Sequence, residues 1–388
     1  MTRRAVATLE TPEIMSGHSS PRILFVSANH SGGGSEELWV QAVGRLAERG
    51  AQVLAATTWS ARAAGRLKQL QQAQVPHASL AESLPRRLLA RLRPEVRPGC
   101  PPLRRLLRSW KPTLVFFNSG TLLDGLPQLE EIAASGVPYL TLTHLVSTDN
   151  WPDDTTAAAL VRLFSGARRA GFVSQHNLAL FQTQTAAKLT NSHLWRNPYL
   201  VSHDRQPTWP EGDTLRLAFP ARIHPRTKGH DLLIEVMSQE KWRSRAIQVS
   251  IYGRGPWENS LTRLIQQRGL DATVQYRGHS QDIQALWDEH HALLLPSRHE
   301  GLPICVVEAM MAARPCIVNP AGGSAELLED GVTGFISREC SAPALDEALE
   351  RAWQHRAKWQ QIGIAAAESV RQTIPADPAD VLARELLG

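Results

Sequence analysis

Residues 296–310 read PSRHEGLPICVVEAM. An apolar run, ALLLPS at 292–297, breaks into a polar turn and resumes as ICVVEAMMAA at 304–313. A short apolar run, a turn carrying Gly301 and Pro303, and a longer apolar run together predict a buried strand feeding a helix. Pro303 suits the first helical position, where a missing N–H costs nothing. Glu300 then falls in the loop, and Glu308 little more than one turn into the helix. A carboxylate there has two readings. It lies on the one exposed stripe of the helix, or it is buried, which is costly unless a partner compensates it. Sugar hydroxyls suit the second reading, because each can donate to a carboxylate. Spacing alone leaves both open.

The surrounding pattern is strand, turn, helix, repeated. RILFVSA (22–28) reads as a strand, NHSGGGS (29–35) as a Gly-rich turn, and EELWVQAVGRLAERG (36–50) as a helix. In that helix Leu38, Ala42, Val43 and Leu46 recur at helical spacing and Gly50 is placed as a stop. QVLAATT, PTLVFFNS and VPYLTLTH are further strands. The series restarts with the strand LRLAFPA, the polar turn RIHPRTKG and the helix HDLLIEVMSQ. It continues through IQVSIYG, ENSLTRLIQQRGL, TVQYRG, SQDIQALWDEH, ALLLPS, PCIVNP and GFIS. Alternation of this kind predicts α/β architecture: two doubly wound, Rossmann-like parallel sheets in series, facing across a cleft, with helices at the C-terminal end. The expected division is a disordered lead-in at 1–20, a first Rossmann-like domain at 21–197, a second at 198–365, and a C-terminal helix at 366–388 packing back on the first domain. The Pro-rich stretch WRNPYLVSHDRQPTWPEGD is the expected linker.

Length supports two cores, since 388 residues exceed what one hydrophobic core usually serves. Hydrophobic residues at 43% and charged residues at 20% are ordinary for a globular chain, which argues against a disordered one. The formal charge of +5 is uneven: residues 86–111 hold nine Lys or Arg against Glu95, a net of +8, so the remainder sums to −3. Cys100, Cys305, Cys316 and Cys340 show no CxxC spacing, against a zinc site or disulfide framework and in keeping with a reducing compartment. No apolar run approaches the length of a membrane span, and the N-terminus lacks the apolar region of a secretory signal. The expectation is a cytoplasmic protein that needs no metal or other cofactor.

In open parallel sheets, ligands bind beyond the C-terminal strand ends, so the chemistry belongs in the turns. Gly33 and Gly34 would let backbone approach a ligand closely, with a helix N-terminus behind them to attract an anion. A dinucleotide fingerprint is disfavoured there, because Glu37 stands at the third small position and the second strand ends Thr57-Thr58 rather than in an acid. A plain turn with Ser35 as N-cap is the other reading. Arg222 follows a strand directly, and Lys228 precedes Gly229 at a helix N-terminus, where a cation is poorly placed for stability. A fork and a point charge together would neutralise a diphosphate; a solvated basic turn is the alternative. Gly253 and Gly255, and Gly278 with His279, sit at two further strand ends.

The block SRHEGLPICVVEAMMAARPCIVNPAGGSAELLEDGVTGF, with RIHPRTKG, IYGRGP, YRGH and GGGSEELW, resembles the retaining glycosyltransferases of the GT-B fold in the large group called family 4. The resemblance covers about 22 to 380 and is densest in the second half. It implies transfer of a sugar from a UDP- or GDP-type nucleotide sugar to an unidentified sugar, lipid-linked or small-molecule acceptor, with retained configuration, in glycan, glycolipid or polysaccharide synthesis. Glu300 would face the donor sugar, with the turn Gly301, Leu302, Pro303, Ile304 helping, through its backbone N–H groups, to hold sugar and phosphate. Glu308 would take the ribose hydroxyls, Arg222 and Lys228 the diphosphate, and His144 would stand near the sugar. The catalytic set is then Arg222, Lys228, Glu300 and His144. The segment after His144, LVSTDNWPDD, matches nothing in that pattern.

Three other readings keep the fold: a nucleotide-sugar epimerase, a phosphorylase (for which the chain is short), and a nucleotide-sugar-binding protein without catalysis. The basic segment 86–111 invites contact with an anionic acceptor or the inner face of an anionic membrane, against a solvated basic face. Nucleic acid is not expected, since no nucleic-acid module accompanies the patch.

Overall fold

The computed structural model describes residues 20–29, 34–59, 64–80, 100–204 and 208–388. The expected lead-in, apart from residue 20, lies outside these residues, as do Gly33 and residues 86–99. Among the described residues the strands form two all-parallel sheets. The first has seven strands, β1 (Arg22–Ser27), β2 (Gln52–Thr57), β3 (His77–Ser79), β4 (Leu114–Ser119), β5 (Tyr139–Thr143), β6 (Arg169–Phe172) and β7 (Ser192–Leu194), ordered β3-β2-β1-β4-β5-β6-β7. The second has six, β8 (Leu215–Pro220), β9 (Ile247–Tyr252), β10 (Val274–Tyr276), β11 (Ala292–Leu295), β12 (Cys316–Val318) and β13 (Gly334–Ile336), ordered β10-β9-β8-β11-β12-β13.

Each sheet reverses its strand order once, between β1 and β4 and between β8 and β11. Ile23 lies opposite both Val53 of β2 and Leu114 of β4, so β1 is flanked on both sides. Strands covered on both faces read as continuous apolar runs, and LVFFNS of β4 is buried at every position. The helix Glu37–Glu48 buries Leu38, Ala42, Val43 and Leu46 completely, and Gly50 beyond it adopts φ 79°.

Local departures from expectation have simple causes. β3, β6 and β7 are only three or four residues long and carry no clear alternation. Pro303 is the N-cap of the helix Ile304–Met311 rather than its first residue, a shift of the size that helix ends commonly show. Residues 225–228, read as turn, form one helical turn, Pro225–Lys228, because Pro225 pre-sets its φ. Ser35 is not an N-cap: it lies within a 3-10 turn, Gly34–Glu36, and takes a hydrogen bond from Asn29 Nδ2.

The stretch between β7 and β8 has no regular element among its described residues but is held along its length. Leu200 N–H donates to Glu308, Ser202 N–H to Gln284, and the Arg371 guanidinium to His203 O. The helix Trp359–Thr373 runs through residues 365 and 366 and packs on Ile304–Met311. After a break, Pro378–Leu387 packs on Glu37–Glu48. Ion pairs Arg45–Asp377, Arg49–Asp380 and Arg169–Glu385 fasten it there, and Trp195 Nε1 also donates to Glu385. Among the described residues no helix is long and apolar enough to cross a membrane.

Candidate active site

The C-terminal ends of central strands of the two sheets meet, since the backbone of His144 after β5 lies against Gly301 in the loop after β11, and ligands of such sheets bind at those strand ends. From the second sheet, β11 runs into residues 296–303 and then the helix Ile304–Met311. Glu300 is buried, and its Oε1 meets Lys228 Nζ at 2.6 Å. The structure therefore joins two residues that stand 72 positions apart in sequence. Lys228 reaches Glu300 because Gly229, at φ 68°, turns the chain sharply between Pro225–Lys228 and the next helix, His230–Met237. A Cβ on Gly229 would come within 2.0 Å of Pro296 O, so the two loops share van der Waals contact. Arg222 is exposed directly after β8, and no ion pair holds its guanidinium among the described residues.

Glu308 is buried, not on an exposed stripe, and its Oε1 accepts the Leu200 N–H at 3.0 Å. Burial pushes its carboxyl up to about 7, the Leu200 hydrogen bond opposes that, and the Glu37 carboxylate adds to it. Glu37 opens the first-sheet helix Glu37–Glu48, so the two helix starts confront each other. Gly34 stands there too: a Cβ on it would lie 3.3 Å from Ile304 Cδ1.

Gly301 sits where the halves meet. A Cβ on it would lie 1.8 Å from the carbonyl oxygen of His144, so only glycine fits. Gly323 N–H donates back to Gly301 O at 2.7 Å. Leu302 and Pro303 are buried behind this contact and Ile304 is partly exposed. His144, at the end of β5, is buried, and burial lowers its imidazole to about 3, so the ring is neutral at pH 7.

Gly253 and Gly255 lie against the chain on either side of Arg222. Cβ atoms there would come within 1.9 Å of Ala221 O and 2.2 Å of Ile223 O. Their N–H groups are already used, Gly253 by Gly278 O and Gly255 by the Glu258 carboxylate. These glycines serve close backbone packing under the Arg222 turn. Gly278 has φ 71° and His279 is exposed beyond β10.

Sequence reasoning passed over several groups. The segment after His144 spans the cleft: Asp149 contacts Arg226 at 3.3 Å and His299 Nε2 at 3.4 Å, and Ser147 Oγ lies 3.4 Å from His299 Nδ1. Glu326 bridges the halves as well, pairing with Arg196 at 2.8 Å and accepting the His176 N–H. Glu36, fully buried, accepts from Ser27, Trp39, Trp59 and Asn118. Burial pushes it up to about 7 against the Ser27, Trp39 and Trp59 hydrogen bonds and the Arg66 charge. In the sequence it is one of two adjacent acids at a helix start, and nothing local separates it from Glu37.

Two facing, parallel, doubly wound units with a cleft at their strand ends define the GT-B class of fold. The crystal structure of HepE from Anabaena in complex with UDP shares it, with TM-score 0.76, 18% identity, and coverage of 94% of this chain and 99% of that one. TarM of S. aureus does so with TM-score 0.71 and 11% identity, covering 95% and 99%. Within that class, residues 214–355 match the family Glycosyl transferases group 1. The putative colanic acid biosynthesis glycosyltransferase WcaL of Salmonella typhimurium is 33% identical over 146 residues, 36% of either chain. The alpha-D-kanosaminyltransferase of Streptomyces kanamyceticus is 33% identical over 126 residues, 32% of this chain and 33% of its own. The chain thus matches about a third of the length of these relatives.

Proposed function

We propose that this protein is a retaining glycosyltransferase that moves a sugar from a UDP-sugar to an acceptor in glycan or polysaccharide synthesis. The observation that carries the reading is the Lys228–Glu300 pair, a buried carboxylate holding a half-buried lysine, with the exposed Arg222 six residues earlier in the same loop. Glu300 fixes Lys228 through one oxygen, so the ammonium keeps two donors for phosphate and the carboxylate keeps acceptor capacity for sugar hydroxyls. Glu308, poised to change charge near neutrality, accepts ribose hydroxyls as well as the Leu200 N–H. Similarity to HepE in complex with UDP-glucose, over 94% of this chain, supports a UDP donor. Similarity to WcaL supports a polysaccharide product.

In the reaction the bond from the sugar anomeric carbon to the diphosphate breaks, and a bond to the acceptor oxygen forms on the same face. The acceptor proton passes to a departing phosphate oxygen. Negative charge grows on the diphosphate, where Arg222, Lys228 and the N-terminal amides of Ile304–Met311 stabilise it. Contact of the basic segment 86–111 with an anionic surface belongs to the same proposal, supported by the exposed Arg105, Arg108 and Lys111.

The test compares thermal stabilisation by UDP, GDP, ADP and NAD at equal concentration, because ligands binding only the folded state raise its stability by mass action. UDP is expected to shift the transition most. Arg222→Ala and Lys228→Ala should each lower UDP-sugar turnover about a hundredfold. A response to NAD alone, or near-normal turnover in both variants, would overturn the reading.

A further inference from the structure

A buried run of polar side chains lies behind the cleft wall of the first sheet and ends on His144. Glu36 Oε2 accepts Ser27 Oγ at 2.8 Å, Trp39 Nε1 at 2.9 Å and Trp59 Nε1 at 3.0 Å. Indole N–H groups only donate, so that oxygen is an acceptor. Asn118 Nδ2 faces two acceptors, Glu36 Oε1 at 2.9 Å and the Ser35 carbonyl at 3.3 Å. This orients the amide and directs Asn118 Oδ1 to His144 Nε2, 2.9 Å away. An amide oxygen cannot donate, so Nε2 must carry the ring proton. A neutral imidazole has one such proton, and Nδ1 keeps its lone pair. Nδ1 is buried and has no hydrogen-bond partner among the described residues. The backbone of the same residue is fixed as well, its carbonyl accepting Asn177 Nδ2 at 3.0 Å and packing on Gly301.

We propose that Glu36 and Asn118 are positioning residues that hold His144 in its Nε2–H form, leaving Nδ1 to accept a hydroxyl of the bound donor sugar. The inference rests on the glycosyltransferase reading for its consequence, though not for the tautomer itself. A structural account, in which the run only ties β1, β4 and β5 together, predicts no defined link between Glu36 and the ring proton. The positioning account does, since which nitrogen is protonated follows from the partner of the other.

Glu36→Gln separates the two. The serine and indole donors keep the new carbonyl oxygen in the place of Oε2, which turns the glutamine NH2 toward Asn118. Rotation of the Asn118 amide relieves that NH2–NH2 clash at the expense of the longer Ser35 contact; it presents NH2 to His144 Nε2, and the ring proton moves to Nδ1. The measurement is a two-bond 1H–15N correlation spectrum of 15N-histidine-labelled protein, with the His144 signals identified by their loss in His144→Gln. Above about pH 8, where Glu36 is ionised, the wild-type ring is expected as Nε2–H and the Glu36→Gln ring as Nδ1–H, with turnover of a UDP-sugar lowered about tenfold and UDP affinity within about twofold. Asn118→Leu, which removes the one hydrogen-bond partner that Nε2 has among the described residues, should leave both tautomers in exchange.

An Nδ1–H ring in the wild type, or an unchanged tautomer in a folded Glu36→Gln, overturns the proposal. A switched tautomer with undiminished turnover overturns the positioning role. The spectra need no substrate, so they stand even if no nucleotide sugar is consumed, an outcome that would count against the glycosyltransferase reading instead.

Discussion

Glu308 is the residue whose environment most sharply constrains what it binds. Its carboxyl is held at about 7 by burial, against an ordinary value of 4.5. A raised value means the folded state keeps a proton that the unfolded chain gives up. The stability associated with that proton is therefore present below about 4.5 and lost as pH rises through about 7. Ribose hydroxyls donate to the ionised form, so binding favours deprotonation. UDP affinity should rise roughly tenfold between pH 6 and pH 8 and then level off, while Glu308→Gln should show a flatter profile. Calorimetric titration across that range checks it, and equal slopes in both proteins would remove Glu308 from the ribose site. The sequence made Glu308 a candidate, yet the Leu200 N–H that meets it comes from 108 residues away. Glu36 was not legible at all, because its partners Ser27, Trp59 and Asn118 assemble only when β1, β2 and β4 lie side by side.

Among the elements, the helix Pro101–Trp110 shows how packing decides the use of a basic segment. Leu103 and Leu107 are buried, while Arg104, Arg105, Arg108 and Lys111 are exposed. Its apolar side is thus occupied by the core, and Arg104 is paired with Glu131 on the helix Leu126–Ala134. Contact with a membrane would then be electrostatic, worth about 1 kcal/mol per cation near an anionic surface, and screened by salt. Binding to vesicles containing anionic lipid should fall in Arg105→Ser/Arg108→Ser and vanish at high salt. Cosedimentation reads both effects, and salt-independent binding would point to an inserted apolar face instead. Elements with strong local patterns, such as Glu37–Glu48 and β4, were legible in the sequence. β3, β6 and β7 were not, since their strand character comes from pairing with a neighbour rather than from alternation.

The whole molecule is tied together by a few specific contacts between its halves: Gly301 on His144, Glu326 with Arg196 and His176, Asp149 with Arg226 and His299, and the C-terminal helix on Glu37–Glu48. Gly301→Ala would drive a methyl group into the His144 carbonyl and part the cleft there. Misplacement of about 1 Å at reacting groups is costly, so turnover should fall about a hundredfold, with the circular dichroism of both sheets retained and a larger radius of gyration in X-ray scattering. Unchanged turnover would show that this contact is not needed for the reaction. What the sequence alone determined was the alternation of strands and helices, hence two doubly wound sheets, and the turns at their strand ends, because period and turn chemistry are local properties. Tertiary structure alone decided which turns meet: Lys228 on Glu300, Gly301 on His144, and Glu36 on Asn118. Those pairings depend on strand order and on the approach of two sheets, and residues brought together by long crossovers leave no spacing for a sequence to reveal.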